Sequence, residues 1–224
     1  MTTLSSLITT TQMIIQDDSF SSSVITNYLN EGMKRIAGGI MIVYPDGTQA
    51  FSYPLPGLAT SDTVDTSTTL AYVSLPDDYG RDLFFAVSGN NGNRIAVLTS
   101  FGDMLARYPS MDDDSEVYVC AVRGSNLFYQ GIPSTSDELT LHYYRKPTDM
   151  VLTTSEPDGL PDHLQSQILT NYAAWQIFDL IEDGMDGKKV NTNNAKSRFY
   201  EGMIELNAFC DNLNEAVEFG INDY

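Results

Sequence analysis

The sequence predicts an α+β fold: a four-helix domain built from both termini, with an antiparallel β-barrel or sandwich-like domain inserted between its halves. Three observations carry this. Residues 4–36 and 160–213 repeat apolar side chains three and four apart, the period of amphipathic helices. Residues 40–151 instead alternate short β-branched and aromatic runs with Gly, Pro, Asn and Asp, the pattern of an all-β unit. The order is helices, strands, helices. A short helix pair cannot stand alone with its apolar stripe in water, and the economical packing puts the two terminal pairs together. The expected domains are 1–39 with 152–213 (helical, discontinuous), 40–151 (β), and 214–224 as a flexible acidic tail.

In the first helix Leu4, Leu7, Ile8, Thr11, Ile14 and Ile15 share one face, and Thr3 is a fair N-cap. Asp17-Asp18-Ser19 breaks the pattern. The second helix, after Ser21–Ser23, turns Val24, Ile25, Tyr28, Leu29, Gly32 and Ile36 inward and ends at Gly38-Gly39. Strands are expected at 40–44, 63–67, 70–74, 83–88, 94–98, 117–123, 127–130 and 139–145. Gly89-Asn90-Asn91-Gly92 and Gly124-Ser125-Asn126 supply residues that tolerate positive φ, so each predicts a hairpin. Residues 100–108 read as a short helix laid across the sheet.

The strongest helix is 160–181, with Asp158 or Gly159 as cap and Pro161 in its first turn. Leu164, Ile168, Leu169, Tyr172, Trp175, Ile177 and Leu180 form its apolar face. The last helix, capped by Thr192 or Asn193, repeats Ala195, Phe199, Met203, Leu206, Phe209 and Leu213 at the same spacing. Beyond Arg198 the chain has six acidic residues and no basic one.

With 224 residues and 42% hydrophobic content the chain can bury a normal core. Its formal net charge of -18 is the anomaly. Such a surface repels polyanions, and the 12 Lys and Arg residues are scattered, which argues against a DNA-binding stripe. Cys120 and Cys210, the only cysteines, fit neither a zinc site nor a disulfide framework and read as small apolar side chains in a reducing compartment. The N-terminus lacks the basic and apolar regions of a signal peptide, and no apolar run approaches a bilayer's thickness. No membrane is expected as a partner, and synthesis in a cytoplasm is.

The chemistry-bearing residues fail the tests for catalysis. Asp112-Asp113-Asp114 with Glu116 lacks calcium-loop spacing, and three consecutive side chains cannot all face one ion, so a solvated loop is expected. Asp179, Glu182, Asp183 and Asp186 lack the ordered ligand pattern as well. Gly187-Lys188-Lys189 resembles the end of a phosphate loop but carries Lys where Ser or Thr should bind magnesium. His142, on a strand, and His163, in a first helical turn, are structural or solvent-facing by position. No G-x-S-x-G elbow exists. No metal, cofactor or catalytic residue is assigned, and the chain is not expected to be an enzyme. Arg145-Lys146, which close the β unit ahead of Pro147, read equally well as a hinge or as cations that meet an acidic neighbour.

The segment LFYQGIPSTSDELTLHYYRKP (127–147), the helices that follow over 160–209, and the N-terminal pair with its QDDSF turn (16–20) resemble the head-to-tail adaptor, or connector, proteins of tailed bacteriophages. The resemblance implies a structural virion protein at the head–tail interface, made in the host cytoplasm. It implies a ring of about a dozen copies beneath the portal that extends the DNA channel and offers a surface to the tail. Expected partners are the portal protein, the tail nozzle or tail tube, and other copies in a homo-oligomeric ring, with a dodecamer as the expected form. DNA would pass without specific binding, and a segment at the C-terminus would dock on the portal. Arg145, Lys146, Leu213, Phe219 and Tyr224 are the expected subunit or portal contacts. The alternative is a ligand- or carbohydrate-binding β module of a phage tail or fibre-associated protein, with Tyr53, Tyr72, Tyr79 or Phe128 lining a sugar site. A glycosidase built on paired carboxylates ranks third.

Overall fold

A computed structural model describes residues 2–17, 19–44, 46–183 and 189–221, with side chains up to 213. The chain opens with α1 (Leu4–Ile15) and α2 (Ser22–Gly38), then β1 (Met41–Val43) and β2 (Gln49–Phe51). A 3₁₀ turn at Pro56–Leu58 leads to β3 (Ala59–Asp65), β4 (Tyr72–Ser74), β5 (Tyr79–Ser88) and β6 (Arg94–Leu98). α3 (Phe101–Arg107), β7 (Val119–Arg123), β8 (Asn126–Tyr129) and β9 (Glu138–Arg145) follow. Two long helices close the chain, α4 (Asp162–Ile181) and α5 (Val190–Ile221). The fold is α+β, as expected.

The chain divides into two compact units, Met1–Leu58 with Pro147–Tyr224, and Ala59–Lys146. The sequence reading places the divisions at 39/40 and 151/152. Residues 40–58 go with the helices because Ile40, Ile42, Leu55 and Leu58 are buried in the helical core, and Met150 joins them from the other side.

In the helical unit α4 is the central element. It packs against α1, α2 and α5 and buries residues on most of its circumference, including Ala173 and Ala174. A helix covered on several sides cannot keep a narrow stripe. Two of its buried polar side chains are satisfied within the helix: the Thr170 hydroxyl donates to Ser166 O at 2.6 Å and Asn171 Nδ2 to Gln167 O at 2.6 Å. α2 crosses α4 at Gly32, where a Cβ would stand 2.6 Å from Tyr172 Cδ1. Thr3 caps α1 through a reciprocal pair with Ser6. Neither Asp158 nor Gly159 caps α4; the cap position is Pro161, which has no side-chain bond to offer. Val24, Leu180 and Leu213, expected inward, are exposed, while Trp175 and Phe209 are half-buried against the core.

The second unit is a curled seven-stranded sheet in the order β3-β9-β5-β6-β7-β8-β4, and its two edge strands approach each other. All pairs are antiparallel except β6–β7, which are parallel because α3 carries the chain across between them. β9 shows the period-two alternation most clearly: Leu139, Leu141 and Tyr143 are buried, and Thr140, His142 and Tyr144 face outward. Gly92 (φ 69°) and Gly124 (φ 62°) take the left-handed conformation in the two expected hairpins. The loop between the edge strands is pinned from inside. Tyr129 is buried, and its hydroxyl accepts from Ser67 N at 2.8 Å and donates to Leu70 O at 2.9 Å.

Candidate assembly surfaces

Arg145 ends β9 and Lys146 follows it, and hydrogen bonds to backbone carbonyls hold both. Lys146 N donates to Asp78 O at 2.7 Å and its Nζ to Asp77 O at 3.0 Å. Arg145 Nη1 donates to Lys146 O at 3.2 Å. Tyr143, two residues earlier, points inward, and its hydroxyl donates to the Asp78 carboxylate while its ring lies 5.4 Å from Tyr79. Burial, and then that carboxylate, push the Tyr143 phenol well above its ordinary range. Lys146 also borders a cleft of ≈ 350 Å³ with Leu75, Pro76, Asp77, Tyr79 and Gly124. The pair is therefore ordered: Arg145 is half-buried and Lys146 exposed.

The C-terminal residues proposed as contacts are separate from this pair. Leu213 is exposed on α5. Helical backbone continues to Ile221, so Phe219 stands on the helix with its side chain outside the described residues, and Tyr224 lies outside them entirely. α5 starts at Val190, ahead of the expected Thr192 or Asn193 cap, because an acid from the end of α4 supplies the capping instead. The buried Glu182 carboxylate accepts from Asn191 N and Thr192 N, both at 3.1 Å, and from the Thr192 hydroxyl at 2.7 Å. The Thr192 hydrogen bond holds its pKa below the ordinary glutamate value. Lys189 pairs with Asp179 at 2.8 Å and Asp183 at 3.6 Å, while Asp186, Gly187 and Lys188 lie outside the described residues.

The residues tested for chemistry take structural places. Glu116 accepts from the Tyr118 hydroxyl at 2.9 Å, and Asp113 O accepts from Ile132 N at 2.9 Å. Among the described residues no three His, Cys, Asp or Glu side chains converge as a metal ion would require. His142 is half-buried against the rings of Phe84 and Phe85, and His163 is exposed with its ring 5.5 Å from Phe209. Burial raises the thiol pKa to about 12 at Cys120 and about 11 at Cys210.

The four aromatics of the sugar-site alternative are divided between the two units. Tyr53 belongs to the helical unit and Tyr79 is half-buried on Tyr143. Within the β unit Tyr72 and Phe128 meet, 5.2 Å apart and tilted by 36°, with Phe101 4.6 Å beyond Phe128. Tilted rings cover one another and offer no flat platform.

Two polar side chains that no sequence motif singles out hold the β unit. Asp137, buried, accepts from the Ser88 hydroxyl at 2.6 Å and Asn90 N at 3.0 Å, while its own N–H donates to Thr66 Oγ1 at 2.8 Å. Gln130 Oε1 accepts from Tyr118 N at 3.1 Å and Val119 N at 2.9 Å, in place of a neighbouring strand. Their partners are distant in sequence, so no local pattern announces them.

A family model described as SU10 adaptor protein matches residues 2–215. The chain belongs to the SU10 adaptor protein family. Among curated proteins, none matches significantly. Membership makes this chain a phage adaptor, a structural virion component with a head–tail role, and implies interaction with portal and tail components. The family has no known enzymatic activity. Among the described residues, no helix of this SU10 adaptor is long and apolar enough to cross a membrane. The match takes in Arg145, Lys146 and Leu213 and stops short of Phe219 and Tyr224.

Proposed function

We propose that this adaptor forms a ring of about a dozen copies beneath the portal, extends the DNA channel and presents the attachment surface for the tail nozzle or tail tube. It is made in the host cytoplasm and works without catalysis. The observation that carries the reading is the family match over nearly the whole chain. The net charge of -18 supports it, because a negative wall repels phosphates and lets DNA slide through without a hold. Arg145 and Lys146, held by the backbone around Asp77 and Asp78, are assigned to contacts with acidic neighbours. Leu213, Phe219 and Tyr224 are assigned to portal docking. The test is electron microscopy of purified portal mixed with this chain. A coaxial density of added rings is expected; portal particles that remain bare at saturating adaptor overturn the reading.

A further inference from the structure

The helical unit carries two exposed apolar features. The first is the outer face of the β1–β2 hairpin. Ile42 is buried in the helical core, so the pleat turns Met41 and Val43 outward, and the register sets Phe51 opposite Met41. Val43 is 51% exposed and Phe51 60%. Val43 also walls a cleft of ≈ 390 Å³ with Asn193, Lys196, Ser197 and Tyr200 of α5.

The second feature is the turn after Met150, where Val151 is 78% exposed and Leu152 67%. This turn is built firmly. Ser155 N donates to Leu152 O at 2.8 Å, and Leu152 N to Ser155 Oγ at 3.0 Å. The otherwise unpaired first amides of α1 hold it from behind: Leu4 N donates to Ser155 O at 2.8 Å and Ser5 N to Thr153 O at 3.0 Å. Asn30 of α2 clamps both the N–H and the carbonyl of Met150, at 2.9 and 3.0 Å. The result is an apolar knob on a fixed stem.

The two features carry opposite charge. Exposed Glu156 stands at the foot of the knob. Beside the hairpin, Lys196 Nζ lies 5.2 Å from the Trp175 ring centroid and the Arg35 guanidinium 5.8 Å from it. Among the described residues no carboxylate pairs with Lys196. Copies of a chain with net charge -18 repel at long range, and a cation of one that meets an anion of the other offsets part of that repulsion, which favours a second copy at this cationic rim. The knob is anchored on α1 and α2, the hairpin on α5, so the contact joins two different patches. Such a heterologous contact generates a ring when its rotation closes.

The geometry points to the Val151–Leu152 turn of one copy packing on the Met41, Val43 and Phe51 face of the next, with Glu156 approaching Lys196. This rests on the ring reading above and names the surfaces through which its copies meet. The test places Leu152→Cys and Val43→Cys in one chain, assembles it on portal and oxidises it mildly. Cys120 and Cys210 are buried and stay out of the reaction. Non-reducing gels are expected to show a ladder beyond dimer for the double variant, dimers for a mixture of the two single variants, and no product from either single variant alone. Abundant dimer from one single variant means an isologous contact and overturns the proposal. A ring seen by microscopy with no ladder overturns the surfaces and leaves the ring reading standing, whereas wild-type chain that forms no ring on portal sinks both. Charge exchange gives an independent readout: Glu156→Lys should lower ring occupancy several-fold and Lys196→Glu in the same chain should restore it. Failure of that rescue also counts against the contact.

Discussion

Replacing Gly32 by alanine tests the central packing of the helical unit. The added Cβ would lie 2.6 Å from Tyr172 Cδ1, too close for any contact, and 3.0 Å from Cγ and 3.2 Å from Cε1, both tight. The ring cannot retreat easily. Tyr172 is fully buried, its hydroxyl donates to Glu31 Oε1 at 3.1 Å, and it packs 5.5 Å from Phe199 and 5.8 Å from Trp175. Overpacking of this kind costs roughly 1–3 kcal/mol. Alanine recovers about 1 kcal/mol through its better helix propensity. The net is a destabilisation of about 0–2 kcal/mol, and Gly32→Val should reach the upper end or beyond it. For a chain of this length that is a fall in Tm of up to about 8 °C. The control is in the same helix: a Cβ at Gly38 would meet nothing within 4 Å, so Gly38→Ala should be neutral or slightly stabilising. Urea and thermal unfolding followed by circular dichroism read the difference. If Gly32→Ala and Gly32→Val unfold at or above the Gly38→Ala midpoint, α2 and α4 do not meet as closely as described.

Tyr129→Phe should cost about 1–2 kcal/mol, because Ser67 N–H and Leu70 C=O each lose a partner; amide hydrogen exchange should speed up at 67–71 more than in β9. The Glu182 pKa is lower in the fold than in the unfolded chain, so its contribution is present at neutral pH and is lost as pH falls through the folded value. Glu182→Gln should therefore unfold below wild type at pH 7, with the gap closing in acid; a gap that widens on acidification contradicts the assignment. With both thiols buried and their pKa values raised, Cys120 and Cys210 should resist maleimide at neutral pH and react together only on unfolding.

Period carried further than boundary did. The alternation of β9 and the stripe of α1 are properties of contiguous residues, so a local reading recovers them. Leu180 and Leu213 keep helical spacing yet are exposed, since spacing names a face and says nothing of how far the neighbouring helix extends to cover it. β2 is hidden in the sequence because Gln49–Phe51 is three residues long and becomes a strand only by pairing with β1. The parallel sense of β6 and β7 is equally hidden. A short helix at 101–107 is visible in the sequence, but its crossing of the sheet is a tertiary fact.

The candidate assembly surfaces are less legible than the fold, for a physical reason. Arg145 and Lys146 stand out because basic pairs are scarce in so acidic a chain, and scarcity is a signal that composition can show. Val151 and Leu152 look like an ordinary apolar pair at a domain boundary, with nothing local to mark them as exposed. The bonds from Leu4, Ser5, Asn30 and Ser155 hold them facing water. Keeping two such side chains out of the core forgoes roughly 1.5–3 kcal/mol apiece relative to full burial, while the stem that displays them uses up amides at the start of α1. The hydrogen bonds that hold these apolar groups outward come from backbone amides and from residues distant in sequence, and no residue-by-residue pattern encodes them.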